Sequence, residues 1–105
     1  MFLLQKHAHS VMVGLFKGGA GRQGTLKWKD FVSAMNKLGF KCLPNSSGGP
    51  RTIFRSVADP NMPCFSWIKP HGRNGGELAA KDQARLSNML QKRYGWSLGS
   101  FRLRP

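Results

Sequence analysis

Three clusters of turn-forming residues in the second half of the chain limit what it can fold into. They cover residues 44–50, 58–63 and 70–76 and are dense in Gly, Pro, Asn, Asp and Ser. The short segments next to them alternate apolar and polar side chains, which is typical of strands. The sequence therefore predicts three strands, at about 40–43, 51–57 and 64–69.

The alternation also separates the two faces of the predicted sheet. Phe65 and Trp67 share one face of their strand, and they fit the face that helices would cover. The pattern leaves the face of Phe54 open. The uncovered face would carry Arg51 and Arg55 or their neighbours, because one side of an antiparallel sheet can face water.

Helical patterns lie on both sides of these strands. The first predicted helix runs from about 26 to 38, with Thr25 as its N-cap and Gly39 at its C-terminal end. The second runs from about 77 to 94 and stops at Gly95. Apolar residues at helical spacing predict the buried faces: Trp28, Phe31, Met35 and Leu38 in the first helix, and Ala79, Leu86, Leu90 and Tyr94 in the second, with Met89 beside them.

The predicted fold is α+β with the order αβββα, a three-stranded antiparallel sheet with two helices on one face. We assign residues 25–105 to this domain. Residues 1–24 contain no carboxylate and end in a Gly-rich stretch. They fit either a basic arm whose apolar residues pack on the domain or a mitochondrial-type targeting segment. The expected location is intracellular: cytoplasmic, or mitochondrial if residues 1–24 act as a presequence.

The charge of the chain predicts an anionic partner. Seventeen Lys and Arg against four Asp and Glu give 105 residues a net charge of +13. Nucleic acid is the first candidate because phosphates reward many cations through counterion release. An acidic protein partner and an anionic membrane surface are the alternatives. A hydrophobic content of 40% argues against disorder. Two cysteines are too few for a disulfide scaffold, and no apolar run is long enough for stable membrane insertion.

Three segments carry a resemblance to a known family. Residues 31–40 end the first helix with Leu-Gly-Phe, 49–54 read Gly-Pro-Arg-Thr-Ile-Phe, and 68–72 read Ile-Lys-Pro-His-Gly before the last helix. In this order and spacing they resemble the HicA-type toxin family, small RNA-cleaving or RNA-binding proteins with a double-stranded-RNA-binding-like αβββα fold. The resemblance covers about residues 26–95, and it implies this fold and contact with RNA.

One departure from the family bears on activity. The family has Gly-Ser-His where this chain has Gly49, Pro50 and Arg51, so Arg51 stands at the position of the family's catalytic His. Arginine keeps its proton near neutral pH and cannot act as a general base, but it can bind phosphate. The resemblance therefore implies RNA binding without efficient nuclease activity.

The predicted nucleic-acid-binding residues are basic side chains on the strands and in the loop after them. In the predicted meander the end of the third strand lies beside the start of the second, just before the last helix. A helix N-terminus adds partial positive charge there, and the glycine pair at 75–76 allows close backbone approach. The predicted set is Lys41, Arg51, Arg55, Lys69, His71 and Arg73.

Catalysis is a weaker prediction than binding. His71 is the candidate acid–base group, since histidine titrates near neutral pH. An active ribonuclease that uses His71 and a structural protein of an organellar ribonucleoprotein are the alternatives to a binding domain. No zinc-ligand spacing joins Cys42 and Cys64 to the histidines, so the sequence predicts no metal and no cofactor. Most aromatic residues fit a hydrophobic core better than a base-stacking surface.

Overall fold

The computed structural model describes residues 2–16, 26–44, 51–59, 61–70 and 76–103. Within these ranges the chain is an α+β protein with the following elements: β1 (Phe2–Leu4), α1 (Lys6–Phe16), β2 (Leu26–Lys27), α2 (Trp28–Lys37), β3 (Phe40–Pro44), β4 (Arg51–Ser56), β5 (Phe65–Ile68), β6 (Glu77–Leu78), α3 (Ala80–Tyr94), a 3-10 helix (Leu98–Ser100) and β7 (Phe101–Leu103).

Strands β3, β4 and β5 form the predicted antiparallel sheet, with β4 in the centre. Each strand agrees with its predicted range to within a residue at each end. In the register, Lys41 lies opposite Arg55, and Arg51 lies opposite Ile68. The turn-rich segments thus separate three strands, as their composition predicts.

One face of this sheet, the inner face, packs against two helices. It carries Phe40, Cys42, Thr52, Phe54, Ser56, Phe65 and Trp67. Phe54 is fully buried and contacts the Phe31 ring of α2 at 5.5 Å between centroids. Tyr94 of α3 contacts Phe65 of the same face at 6.0 Å. The structure therefore confirms Phe65 and Trp67 on the covered face and places Phe54 with them.

Helix α2 begins later than predicted. Residues Leu26–Lys27 form strand β2, which pairs antiparallel with β6 at Glu77–Leu78. The N-cap is Lys27, without a side-chain hydrogen bond, and the predicted cap Thr25 lies outside the described residues. The predicted end is confirmed, since Gly39 has φ 92°, a conformation that favours glycine. The β2–β6 pair joins the segments that lead into α2 and α3.

Helix α3 also starts later than predicted. Glu77 lies in β6 rather than in the helix, and Ala79, predicted to be buried, is the exposed N-cap. Gln83 takes the buried position instead, where its side-chain amide donates to the Leu78 carbonyl at 2.9 Å. The helix ends at Gly95 with φ 71°, as predicted.

The N-terminal segment belongs to the same core. Helix α1 buries Ala8, Val11, Met12 and Leu15 and packs against α2 and α3. Strand β1 pairs in parallel with β7, so the two described ends of the chain lie side by side. Packing on the domain is what the first of the two alternatives for residues 1–24, a basic arm, implies. The pairing of β1 with β7 has no counterpart among the sequence-based predictions.

Candidate nucleic-acid interface

The second face of the three-stranded sheet, the outer face, carries three exposed cations. Its residues alternate with those of the inner face: Lys41, Leu43, Arg51, Ile53, Arg55, Ser66 and Ile68. Lys41, Arg51 and Arg55 are all exposed, and Ile68 is 50% exposed. The sequence predicted that Arg51 and Arg55 or their neighbours lie on the open face, and the structure places Arg51 and Arg55 there. The aliphatic Leu43 and Ile53 lie in the row between the cations, and both are half-buried.

The guanidinium of Arg51 is held in place on this face. Arg51 Nη1 donates a hydrogen bond of 2.7 Å to Ser66 Oγ on the neighbouring strand. Because the bond uses one of five N–H donors, the others stay available for an anion. A guanidinium that is already oriented loses less side-chain entropy when it binds phosphate.

A groove of about 410 Å³ lies between β5 and the start of α3. We call it the β5–α3 groove and define it by Arg51, Ser66, Trp67, Ile68, Lys69, Pro70, Leu78, Asp82 and Arg85. Two predicted site residues, Arg51 and Lys69, thus line one cavity beside the first turns of the last helix. Lys41 and Arg55 lie opposite each other at the far end of β4. His71 and Arg73 lie outside the described residues.

A third group of cations was absent from the sequence-based prediction. Arg85, Lys92 and Arg93 lie with Asn88 and Met89 around a shallow depression on α3 of about 560 Å³. Arg85 also lines the β5–α3 groove, so the two depressions share a residue. The sequence indicates this polar face of the helix, because positions 81, 85, 88 and 92 recur at helical spacing on the side opposite Leu86 and Leu90.

Carboxylates offset little of this positive charge. Asp82 lies 3.7 Å from Arg85, and Asp30 lies 3.6 Å from His7 Nε2. Lys41, Arg51, Arg55 and Lys69 have no carboxylate partner within those ranges. Their charge is available to an external anion.

Gly76, the second residue of the glycine pair predicted to approach phosphate, has a role in chain packing instead. Gly76 has φ 87°, and a side chain on it would collide with the backbone carbonyl of Pro70. Its own carbonyl accepts a hydrogen bond of 3.1 Å from the Trp28 N–H at the start of α2. Gly76 therefore allows two parts of the chain to pass closely, and Gly75 lies outside the described residues.

The described part of the chain offers few candidate nucleophiles or metal ligands. Both cysteines are free. Cys42 lies on the inner face, where burial raises the pKa of its thiol to about 11, so the thiol stays protonated near neutral pH. Cys64, the first residue of the predicted third strand, is exposed and precedes β5. No group of three or more metal-ligating side chains occurs among the residues that the structure describes.

Tyr94 and Arg93 attach the end of α3 to the segment before β5. The Tyr94 hydroxyl donates to the Pro63 carbonyl, and Arg93 Nη1 donates to the Cys64 carbonyl at 3.2 Å. Burial raises the pKa of Tyr94, which keeps its hydroxyl a donor. These bonds fix the position of the basic helix relative to the sheet.

Comparisons with known proteins add no identity. No protein-family model, curated protein or solved structure matches this chain. In the described ranges, no helix has both the length and the apolar character that crossing a bilayer requires.

Proposed function

We propose that this chain is a small RNA-binding domain that holds double-stranded or otherwise structured RNA through its phosphates, without efficient nuclease activity. The observation that carries the proposal is the open outer face of the sheet. Lys41, Arg51 and Arg55 project from it without carboxylate partners among the described residues. Arg85 and Lys92 extend positive charge along α3. Counterion release makes such an array favourable for a polyphosphate.

The preference for RNA rests on the resemblance to the HicA-type family. The order α2, β3, β4, β5, α3 agrees with the αβββα order of that family, with the short strand β6 added before α3. Double-stranded RNA is recognised largely by its shape, its phosphates and its 2′-hydroxyls. A site of Arg and Lys suits this kind of recognition.

The absence of efficient cleavage follows from the chemistry of Arg51. The side chain at the position of the family's catalytic His is a guanidinium bonded to Ser66 Oγ. A guanidinium donates hydrogen bonds to phosphate and cannot serve as a general base. Cleavage would then need another group, for which His71 is the candidate.

The test compares two triple variants with equal charge. Lys41→Gln/Arg51→Gln/Arg55→Gln removes the outer-face cations, and Lys6→Gln/Lys29→Gln/Lys37→Gln removes three exposed cations from α1 and α2. Binding of a labelled blunt RNA duplex is measured by anisotropy from 50 to 300 mM salt. Each lost phosphate contact should reduce the slope of log K against log salt by roughly 0.9. We expect a reduction of about 2–3 in the outer-face variant alone.

Two results would contradict the proposal. Equal loss of affinity in both triple variants would mean that total charge, not the outer face, drives binding. Cleavage of the labelled RNA by the wild type, abolished in His71→Ala, would show an active ribonuclease instead. A DNA duplex of the same sequence serves as the control for RNA preference.

A further inference from the structure

The β5–α3 groove has the volume and the mixed apolar and charged lining of a small-ligand site. Its volume of about 410 Å³ falls within the range of small-ligand sites, ~300–1,000 Å³. It lies against β5, an edge strand in the sheet as described, and the first two turns of α3. Apolar side chains form much of its wall: Trp67, Ile68, Pro70 and Leu78.

Trp67 differs from the other two tryptophans. Trp28 and Trp96 are 4% and 5% exposed and belong to the core. Trp67 is half-buried, packs partly against the core and also lines the groove. An indole ring at the wall of a cavity offers a surface on which a nucleobase can stack, and stacking of this kind tolerates any base.

The charged side chains of the groove fit a nucleotide rather than an apolar ligand. Arg51, Lys69 and Arg85 supply three cations for the phosphates on either side of an inserted base. Asp82 is the one carboxylate among the lining residues, and it lies 3.7 Å from Arg85. An ionised carboxylate only accepts hydrogen bonds, so it favours a base edge that carries donors. Guanine offers two adjacent donors, N1–H and N2–H, on its Watson–Crick edge.

We propose that the β5–α3 groove binds one unpaired guanine of a structured RNA. The base stacks on Trp67, its donor edge faces Asp82, and the flanking phosphates lie at Arg51, Lys69 and Arg85. This inference rests on the proposed RNA-binding function and adds to it. The outer face holds the duplex by its phosphates, while the groove selects an RNA that presents a bulged base.

The experiment separates the groove from the outer face. Five RNA duplexes share one sequence: one is fully paired with blunt ends, and four carry a single bulged G, A, C or U. Affinity is measured by anisotropy, and tryptophan emission is recorded in parallel, with Trp67, the most exposed of the three tryptophans, as the reporter. We expect the bulged-G duplex to bind about tenfold more tightly than the paired duplex, from stacking plus two hydrogen bonds. We also expect quenching that is lost in Trp67→Phe, which keeps a ring.

Two substitutions test the assigned roles. Trp67→Leu should remove the tenfold gain while leaving the affinity for the paired duplex within about twofold, because the outer face is intact. Asp82→Asn, on the surface of α3, should make bulged G equal to bulged U. Asp59→Asn, the same charge change in the turn after β4, should leave the preference unchanged.

The outcomes distinguish this inference from the proposed function. If wild-type protein binds paired and bulged duplexes equally well, the groove inference is wrong and the RNA-binding function stands. If neither duplex binds, both are wrong. A gain that survives both Trp67→Leu and Asp82→Asn would also overturn the assignment. Since Trp67 partly contacts the core, circular dichroism must show that Trp67→Leu is folded, and Asp82→Asn tests the groove without touching the core.

Discussion

The two faces of the three-stranded sheet carry opposite chemistry although their residues alternate along the same strands. On the inner face, Phe54 and Phe65 stack at 4.6 Å between ring centroids and are nearly free of solvent contact. On the outer face, Lys41 and Arg55 lie opposite each other and are exposed. Because adjacent residues point to opposite sides, stability and charge are assigned to separate sets of side chains. Substitutions on one face should therefore leave the property of the other largely unchanged.

The largest effect is expected on the inner face. Phe54 contacts the rings of Trp28, Phe31 and Phe65. Phe54→Ala removes these contacts and leaves a cavity, so we expect the free energy of unfolding to fall by about 3–5 kcal/mol. Ile53→Ala, one residue away on the outer face, should lower it by about 1 kcal/mol. Urea denaturation measures both, and equal losses would break the comparison between the faces.

An intermediate effect is expected at Cys42 on the inner face. Burial raises the pKa of its thiol from the ordinary 9.0 to about 11. In a Cys64→Ser background, the rate of alkylation by iodoacetamide should rise with pH with a midpoint near 11, while circular dichroism confirms that the protein stays folded.

The same shift has a defined sign for stability. The folded pKa is above the unfolded value, so the contribution of the neutral thiol is complete below about pH 9 and is lost as the pH rises toward 11. The difference in unfolding free energy between the wild type and Cys42→Ala should shrink over this range. An alkylation midpoint near pH 9 would show that Cys42 is solvated like an ordinary thiol.

The smallest effect is expected on the outer face, where a substitution should increase stability and weaken RNA binding. Lys41 and Arg55 are like charges directly opposite each other, an arrangement that destabilises a sheet by a few tenths of a kcal/mol. Arg55→Glu should therefore raise the unfolding free energy by about 0.2–1 kcal/mol while weakening binding to an RNA duplex. Arg55→Gln should lie between the two. Lower stability in Arg55→Glu would mean that packing of the Arg55 side chain on the sheet stabilises the fold more than its repulsion with Lys41 destabilises it.

The strands, and the covered face of the third strand, could be predicted because the pattern that specifies them is local. A residue and its neighbours two positions away are enough to identify one side of a strand, as for Phe65 and Trp67. Gly39 and Gly95 end their helices for a similar reason, since the left-handed conformation after the last turn is a property of one residue. Turn composition then limited the strands to short segments.

The start of α3 could not be predicted in the same way. Glu77–Leu78 form a two-residue strand with Leu26–Lys27, far away in the chain, and two residues carry no readable period. Gln83 is buried despite its polarity, because its side-chain amide donates to the Leu78 carbonyl in the core. A contact with a residue of another element overrides the local pattern in both cases.

The candidate interface was also only partly predictable from local patterns. Alternation put Arg51 and Arg55 on the same face of their strand without deciding whether that face is open, and helical spacing indicated a basic stripe on α3. The β5–α3 groove was only partly foreseen, because Trp67, Asp82 and Arg85 come together only when α3 packs beside the edge of β5.

By itself, the sequence determined the excess of positive charge, the three short strands, the apolar side of the third strand and the glycines that end the helices. These depend on composition or on spacings of two to four residues. Only the tertiary structure decided that β1 pairs with β7, that α1 joins the core, and that Trp67 and Arg85 line the same groove. The physical reason is that such contacts join residues distant in the chain, and they form when apolar surfaces of several elements are buried together.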